Sequence, residues 1–567
     1  MWGRSNPECK WEILFCRAIL SINHAESNNS ARTPLGYTPE HVQHPETFPV
    51  ETAHAGPDRD ASGAGAVYPW IPDLGNGTFR NPILHADYSD PDVIRHGADF
   101  YLISSSFNCT PALPILHSRD LVNWSIVAHA LTNLPNARYD EVQHGCGVWA
   151  PSIRHHDGRF WIFFCTPDEG VFVTTAANPR GPWSEPHLIE AGKGLIDPCP
   201  LWDDDGRAYL AHAYARSRCG IADRVRVRPM SQDGRRLLGE GEIVFHSPES
   251  HPTVEGPKFL KKDGYYYIFA PAGGVASGWQ LALRSRNIFG PYEERVVLEQ
   301  GGTTVNGPHQ GALVDFPNND WWFLHFQDAG VYGRVVHLQP VAWKDGWPRI
   351  GEDRDGNGIG EPVQQWRRPR VTGSSAITTP ATTDEFDSET LGLQWQWHAN
   401  HKKNWHSLTE RRGWLRLFST HSPDGNLFQT PSLLMQKWPA RAFEIETVLD
   451  CSGLRAGDEA GVVIMGRTHA ALAVRRTPQE TTLVYRENGT DHSLGEINSP
   501  TVTLRVRVED GGLCQFQLAS GGELITAPRA FQAMAGHWVG AKAGLYCIGR
   551  GHDSRGHADF DYLRFRQ

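Results

Sequence analysis

From about Tyr68 to Trp343, short apolar runs alternate with turn residues roughly every 8–12 positions, and no stretch carries the i, i+3, i+4 spacing of a long amphipathic helix. The runs are β-branched and aromatic, so they predict strands. One grammar recurs: a residue before a proline, an apolar pair, a polar turn closed by glycine, then an aromatic run. It reads DPDVIRHGADFYLI from Asp90, WAPSIRHHDGRFWIF from Trp149, IDPCPLWDDDGRAYL from Ile196 and EGPKFLKKDGYYYIF from Glu255. A fifth copy with a longer middle, NGPHQGALVDFPNNDWWFL, starts at Asn306. Pro91, Pro151, Pro198, Pro257 and Pro308 stand 60, 47, 59 and 51 residues apart, the spacing of four-stranded blades. Secondary phrases such as GVFVTTAANPRGPWSEPHLI supply the outer strands. No such unit buries its faces alone, so the five stack radially into a five-bladed β-propeller over residues 71–345. A large sandwich is the alternative, and it leaves the repeated grammar unexplained.

Past residue 384 the period becomes a clean alternation, in FEIETVL (Phe443 to Leu449), GVVIMG (Gly461 to Gly466), TVTLRVRV (Thr501 to Val508) and FDYLRF (Phe560 to Phe565). This predicts a β-sandwich of jelly-roll type over 384–567, and with it an all-β chain. Residues 346–383 read as a connector, and residues 1–70, rich in His, Pro, Asn and Ser without a period, as a disordered leader. Within the connector DRDGNG (Asp353 to Gly358) resembles the start of a calcium loop, but the twelfth position is Gln364, so a glycine-rich turn is the plainer reading.

Composition narrows the partners. The net charge of −10 gives no electrostatic reason to expect nucleic acid or an anionic membrane surface. No run reaches the ~20 apolar residues of a membrane span, and Ile13 to Leu20, interrupted by Arg17, makes a poor secretory core, which leaves both a cytoplasmic and a secreted location open. Ten cysteines without a CxxC pair read as buried free thiols. Twenty tryptophans suit wide packed sheets and a carbohydrate-facing surface alike.

In a propeller the inner strand of each blade lines the axis, so the positions ahead of the repeat prolines converge at one mouth of the channel. They hold Asp90, Trp149, Asp197, Glu255 and Asn306. Each acid alone could merely cap a turn. Three carboxylates in one enclosure raise one another's pKa, and that expense points to a reaction. Glycoside hydrolysis uses such a set: one carboxylic acid protonates the leaving oxygen and one carboxylate activates water or attacks the sugar. The acidic run Asp203 to Asp205 falls at a blade turn and is best explained by turn chemistry.

NPILHADYSDPDVI, GVWAPSIRHHDGRFW, IDPCPLWDDDGRAYL, VEGPKFLKKDGYYY and GRVVHLQPV resemble, in order and spacing, the motif set of glycoside hydrolase family 43, and the C-terminal part is similar to the concanavalin A-like sandwich of that family's β-xylosidases. The resemblance implies an inverting exo-enzyme that removes terminal β-D-xylose or α-L-arabinofuranose from xylan or arabinoxylan fragments. Asp90 would be the general base, Glu255 the general acid, and Asp197 the residue that tunes and orients the acid. It also implies that Arg334 contacts substrate, that Trp149, Phe107 and Asn306 line the sugar pocket, and that His309 helps hold a hydrated cation, often calcium, on the axis. No cofactor is otherwise required. Cys109 and Thr110 stand where many members carry a large aromatic, which puts the outer wall and the choice between the two sugars in question. An endo-arabinanase type of enzyme and a non-catalytic sugar-binding propeller are the other readings.

Overall fold

The computed structural model describes residues 68–567 apart from 317, 372–375, 521–522 and 551–554, so the leader expected over 1–70 lies, up to residue 67, outside the described residues. Five separate four-stranded antiparallel sheets follow one another in chain order. Their inner strands are β1 (Asp92–His96), β2 (Trp149–His156), β3 (Leu195–Trp202), β4 (Lys258–Lys262) and β5 (His309–Asp315). The chain forms a five-bladed β-propeller. Middle strands are sandwiched between neighbouring blades, which is why Arg159–Thr166 and Gly170–Ala176 are almost wholly buried and read as continuous apolar runs. The ring's ends are tied by main chain and amide: Leu84 and Val336 exchange both backbone hydrogen bonds, and Asn81 bonds Leu338 and Val363.

The last blade runs further than 345. Trp347–Ile350 pairs with Arg334–Lys344 as its outer strand, so the expected boundary cuts a hairpin. The connector likewise carries a strand, Gln365–Arg367, pairing with Thr78–Arg80. Beyond it, two sheets of eight and nine strands form the C-terminal β-sandwich. Strand Thr501–Val508 alternates buried and open positions as its sequence does, and Trp395, Trp438, Tyr485 and Phe516 fill the space between the sheets. All eight cysteines among the described residues are free, six of them buried.

Each inner strand has one residue near its start turned into the left-handed region: Asp90 at φ 56°, Ala150 at 26°, Asp197 at 58°, Gly256 at 58° and Gln310 at 30°. In four blades that residue precedes the repeat proline. In the fifth it precedes Gly311, where a Cβ would stand 1.7 Å from the Leu324 carbonyl oxygen, so neither proline nor any side chain fits. The equivalent of Pro91 in blade five is therefore Gly311 and not Pro308, so the position two residues ahead passes from Asn306 to His309 and the left-handed residue is Gln310.

Candidate active site

Where these left-handed residues converge, a cavity of about 410 Å³ opens, with Asp90, Asp197 and Glu255 in its wall. Left-handed backbone at non-glycine residues costs roughly 1–3 kcal/mol each and gathers where function requires a particular side-chain direction. Asp90 is buried and only accepts: Ser89 Oγ donates at 2.9 Å and Ser105 Oγ at 2.5 Å to Oδ2, and Arg334 Nη1 donates at 3.0 Å to Oδ1. The same serine hydroxyl of residue 105 accepts from Ala150 N at 2.7 Å, which fixes blade one against blade two. Asp197 is also buried, and its Oδ2 accepts from Gly256 N at 2.7 Å. Burial, the Glu255 carboxylate and the Asp90 carboxylate push Asp197 well above the usual carboxylate range, against the pull of the Gly256 N–H and the Lys258 ammonium. Glu255 differs in being one-third open to the cavity, with Oε1 3.0 Å from His309 Nε2.

Arg334 lies under the cavity between Phe326, 4.7 Å from its guanidinium carbon, and Trp538 at 5.7 Å, and its Nη1 bonds Ser89 Oγ at 2.8 Å besides Asp90. Trp149 and Phe107 both line the cavity, their rings 6.4 Å apart. The backbones of Phe107 and Val148 exchange two 3.0 Å hydrogen bonds across Gly147. A Cβ at Gly147 would fall 2.1 Å from the Phe107 carbonyl oxygen. Asn306 is not in the wall. Its amide donates to Ala276 O and accepts from Gln327 Nε2, and Gln310 lines the cavity in its place. The NCT of SSSFNCT turns away as well: Asn108 and Thr110 bond the backbone of His398, Ala399 and Trp397, and Cys109 meets Lys542 Nζ at 2.8 Å. Those small residues belong to the seam with the sandwich, which explains the missing aromatic.

Sequence reasoning missed Gln310 and Trp538. For Gln310 the signal was the glycine that follows it in PHQG. For Trp538 it was an aromatic set between glycines in AGHWVG, outside any alternating strand. The sandwich loop that carries Trp538 is pinned to the propeller, Ala541 N donating to Val331 O at 2.8 Å and Gly540 packing on the Tyr332 carbonyl.

Residues 79–348 match the family model described as Glycosyl hydrolases family 43, and residues 383–566 match the β-xylosidase C-terminal concanavalin A-like domain. A candidate β-xylosidase of Xylanibacter ruminicola is 46% identical over 382 residues, 67% of this chain and 70% of that protein. This chain belongs to glycoside hydrolase family 43. A non-reducing end α-L-arabinofuranosidase of Bacteroides ovatus is 29% identical over 545 residues, 87% of this chain and 96% of that protein. The solved xylan β-1,4-xylosidase of Bacillus halodurans superposes with a TM-score of 0.76 at 26% identity, covering 86% of this chain and all of that one (100%).

A family 43 chain raises the question of an axial cation, and the donor set here does not fit one. Among the described residues no three His, Cys, Asp or Glu side chains are placed to hold a metal ion. His309 turns Nε2 to Glu255, and its buried Nδ1 is a single orphan. The space along the axis below it is lined by Arg95, Arg154, Lys258 and Lys261 against Asp92 and Asp315, a positive surrounding for a dication. The connector loop does not fit either: Asp353, Asp355 and Asn357 all turn their oxygens to N–H groups of their own turn.

Proposed function

We propose that this enzyme is an inverting exo-glycosidase that removes terminal β-D-xylose or α-L-arabinofuranose from xylan or arabinoxylan fragments. Asp90 acts as general base, Glu255 as general acid and Asp197 as the residue that tunes the acid. One observation carries the reading: three carboxylates from three blades meet in one cavity with three different environments. Asp90, buried and fed by two hydroxyls and a guanidinium, suits a carboxylate that orients water and takes its proton. Glu255, open towards the cavity, suits an acid that must reach the leaving oxygen. Asp197, buried beside Glu255 with its pKa raised by burial, by that carboxylate and by Asp90, is placed so that its charge state sets the proton affinity of Glu255. Trp149 and Phe107 offer ring faces for the sugar. Trp538, brought by the sandwich, adds a wall to the cavity, which supports an exo cut.

A panel of nitrophenyl β-xylosides and α-L-arabinofuranosides, with xylobiose, tests this on wild type and Glu255→Ala. The variant should lose more with xylobiose than with the aryl glycosides, whose leaving groups need less protonation. NMR of the first product should show α-xylose from a β-xyloside; first release of β-xylose would overturn inversion. Equal activity of wild type and variant on xylobiose would remove Glu255 from the acid's role.

A further inference from the structure

Lys258 is the first residue of β4, and only 3% of it is exposed. Its side chain does not stay in blade four. Nζ donates to Pro151 O at 2.8 Å and to Ser152 Oγ at 2.9 Å, both on β2, so it reaches past blade three, across the channel, to blade two. Among the described residues no carboxylate lies within the 4.0 Å of an ion pair. A buried ammonium without a counter-ion is costly unless its charge does something.

The charged groups that face it come from every inner strand around the axis. Asp92 of β1 accepts from Arg154 Nη1 and Ile153 N, both at 2.7 Å, with its other oxygen unpartnered among the described residues. Arg154 of β2 also reaches Cys199 of β3, Nη2 to Sγ 2.9 Å. Above stand Asp197, whose carboxylate Lys258 stabilises in its charged form, and Glu255 with His309. Arg95 and Lys261 line the same space but are paired with Asp315 and Asp203, and Arg154 is paired with Asp92, so among the described residues Lys258 is the one cation there that no carboxylate neutralises.

Building on the catalytic reading above, we propose that Lys258 is the axial cation of this active site, a fixed ammonium bridging blades four and two that supplies under Asp197 the positive charge a metal ion would otherwise bring. It is a positioning residue: it touches no substrate and acts through Asp197 and through Gly256, whose N–H holds that carboxylate. Because the charge is covalently attached, the site takes up no calcium.

The test separates charge from volume. Lys258→Ala opens a space continuous with the cavity of about 290 Å³ at the opposite mouth, which Lys258 lines and through which a small solute can enter. We expect kcat to fall roughly 10–100-fold, the worth of one to two pKa units on the acids above. Propylammonium should restore activity and 1-propanol should not. Calorimetric titration of wild type with calcium should show no binding, and a chelator should change neither its melting temperature nor its activity. Equal rescue by the alcohol would make Lys258 a filler, and calcium binding by wild type would put a metal back on the axis; either overturns the proposal. If the alanine variant fails to fold, Lys258→Arg and Lys258→Met decide: the arginine variant should keep activity that the methionine variant loses, and equal kcat in the two overturns the charge role. Should Glu255→Ala keep full xylobiose activity, the catalytic reading falls, while the calcium titration still judges the axial cation by itself.

Discussion

Asp197 ties chemistry to stability through one proton. Its carboxyl is raised above the ordinary 3.8 by burial and by the Glu255 and Asp90 carboxylates. The folded state thus binds this proton more tightly than the unfolded chain does, and stability falls as pH rises from about 3.8 towards the raised value. Asn at this position cannot ionise, yet its amide oxygen still accepts from Gly256 N. Asp197→Asn should therefore melt about 1–3 °C higher than wild type near neutral pH and lose the downward slope, while kcat drops on the order of 100-fold. Calorimetric scans of both proteins at several pH values check it, and parallel slopes would acquit Asp197. Arg334 makes a complementary case. One guanidinium nitrogen serves Ser89 and Asp90 while the plane lies between Phe326 and Trp538. A lysine has neither the fork nor the plane, so Arg334→Lys should lower kcat/KM by about 10–100-fold, one to two charged hydrogen bonds, with little change in melting temperature.

At the scale of the strand, the site is a set of five left-handed residues, each aiming its neighbour or itself at the axis. Four were legible because proline marks them: nothing else in the sequence distinguishes Asp90 and Asp197 from other acids in turns. The fifth was not, because Gly311 replaces the proline for want of space against Leu324, and counting from Pro308 placed Asn306 where His309 belongs and hid Gln310 as the left-handed residue. Blade strands were legible from their aromatic runs, whereas the last outer strand, Trp347–Ile350, fell within the stretch read as a connector. Trp538 could not be assigned to the site from the chain alone, since its place depends on how the sandwich docks. The Gly147 turn offers the test at this scale. A methyl group there meets the Phe107 carbonyl at 2.1 Å in a backbone of φ 87°. Gly147→Ala should break the Phe107–Val148 pairing, cost about 1–3 kcal/mol in denaturant unfolding, and loosen both aromatic walls so that KM rises more than kcat falls. An unchanged KM would show that the walls are held from elsewhere.

The two domains of the whole molecule share a polar seam and one pocket. Thr110 and Trp397 exchange backbone hydrogen bonds, Asn400 bonds Leu134 and Tyr139, and Lys542 meets Cys109, so the propeller face is completed by partners it cannot replace with its own residues. Cutting the chain near residue 383 would leave these groups and the Tyr332 and Val335 side chains, which pack with the sandwich core, uncovered. The isolated propeller should therefore be recovered mainly as aggregate, as size-exclusion chromatography would show; a monomeric, cooperatively melting propeller would refute that dependence. The sandwich's second contribution is finer and is isolated by Trp538→Ala, which leaves the seam intact. A ring of this size at a sugar pocket is worth about 1–1.5 kcal/mol beyond its area, so the variant should raise KM for xylobiose about tenfold. If the ring also ends the pocket, the same variant should begin to release short oligomers from internal positions of xylan, where wild type should release only the monosaccharide. Product chromatography on xylan reads this directly. Monosaccharide as the sole product of both proteins would mean that the propeller alone sets the exo cut, and that the sandwich is there for stability.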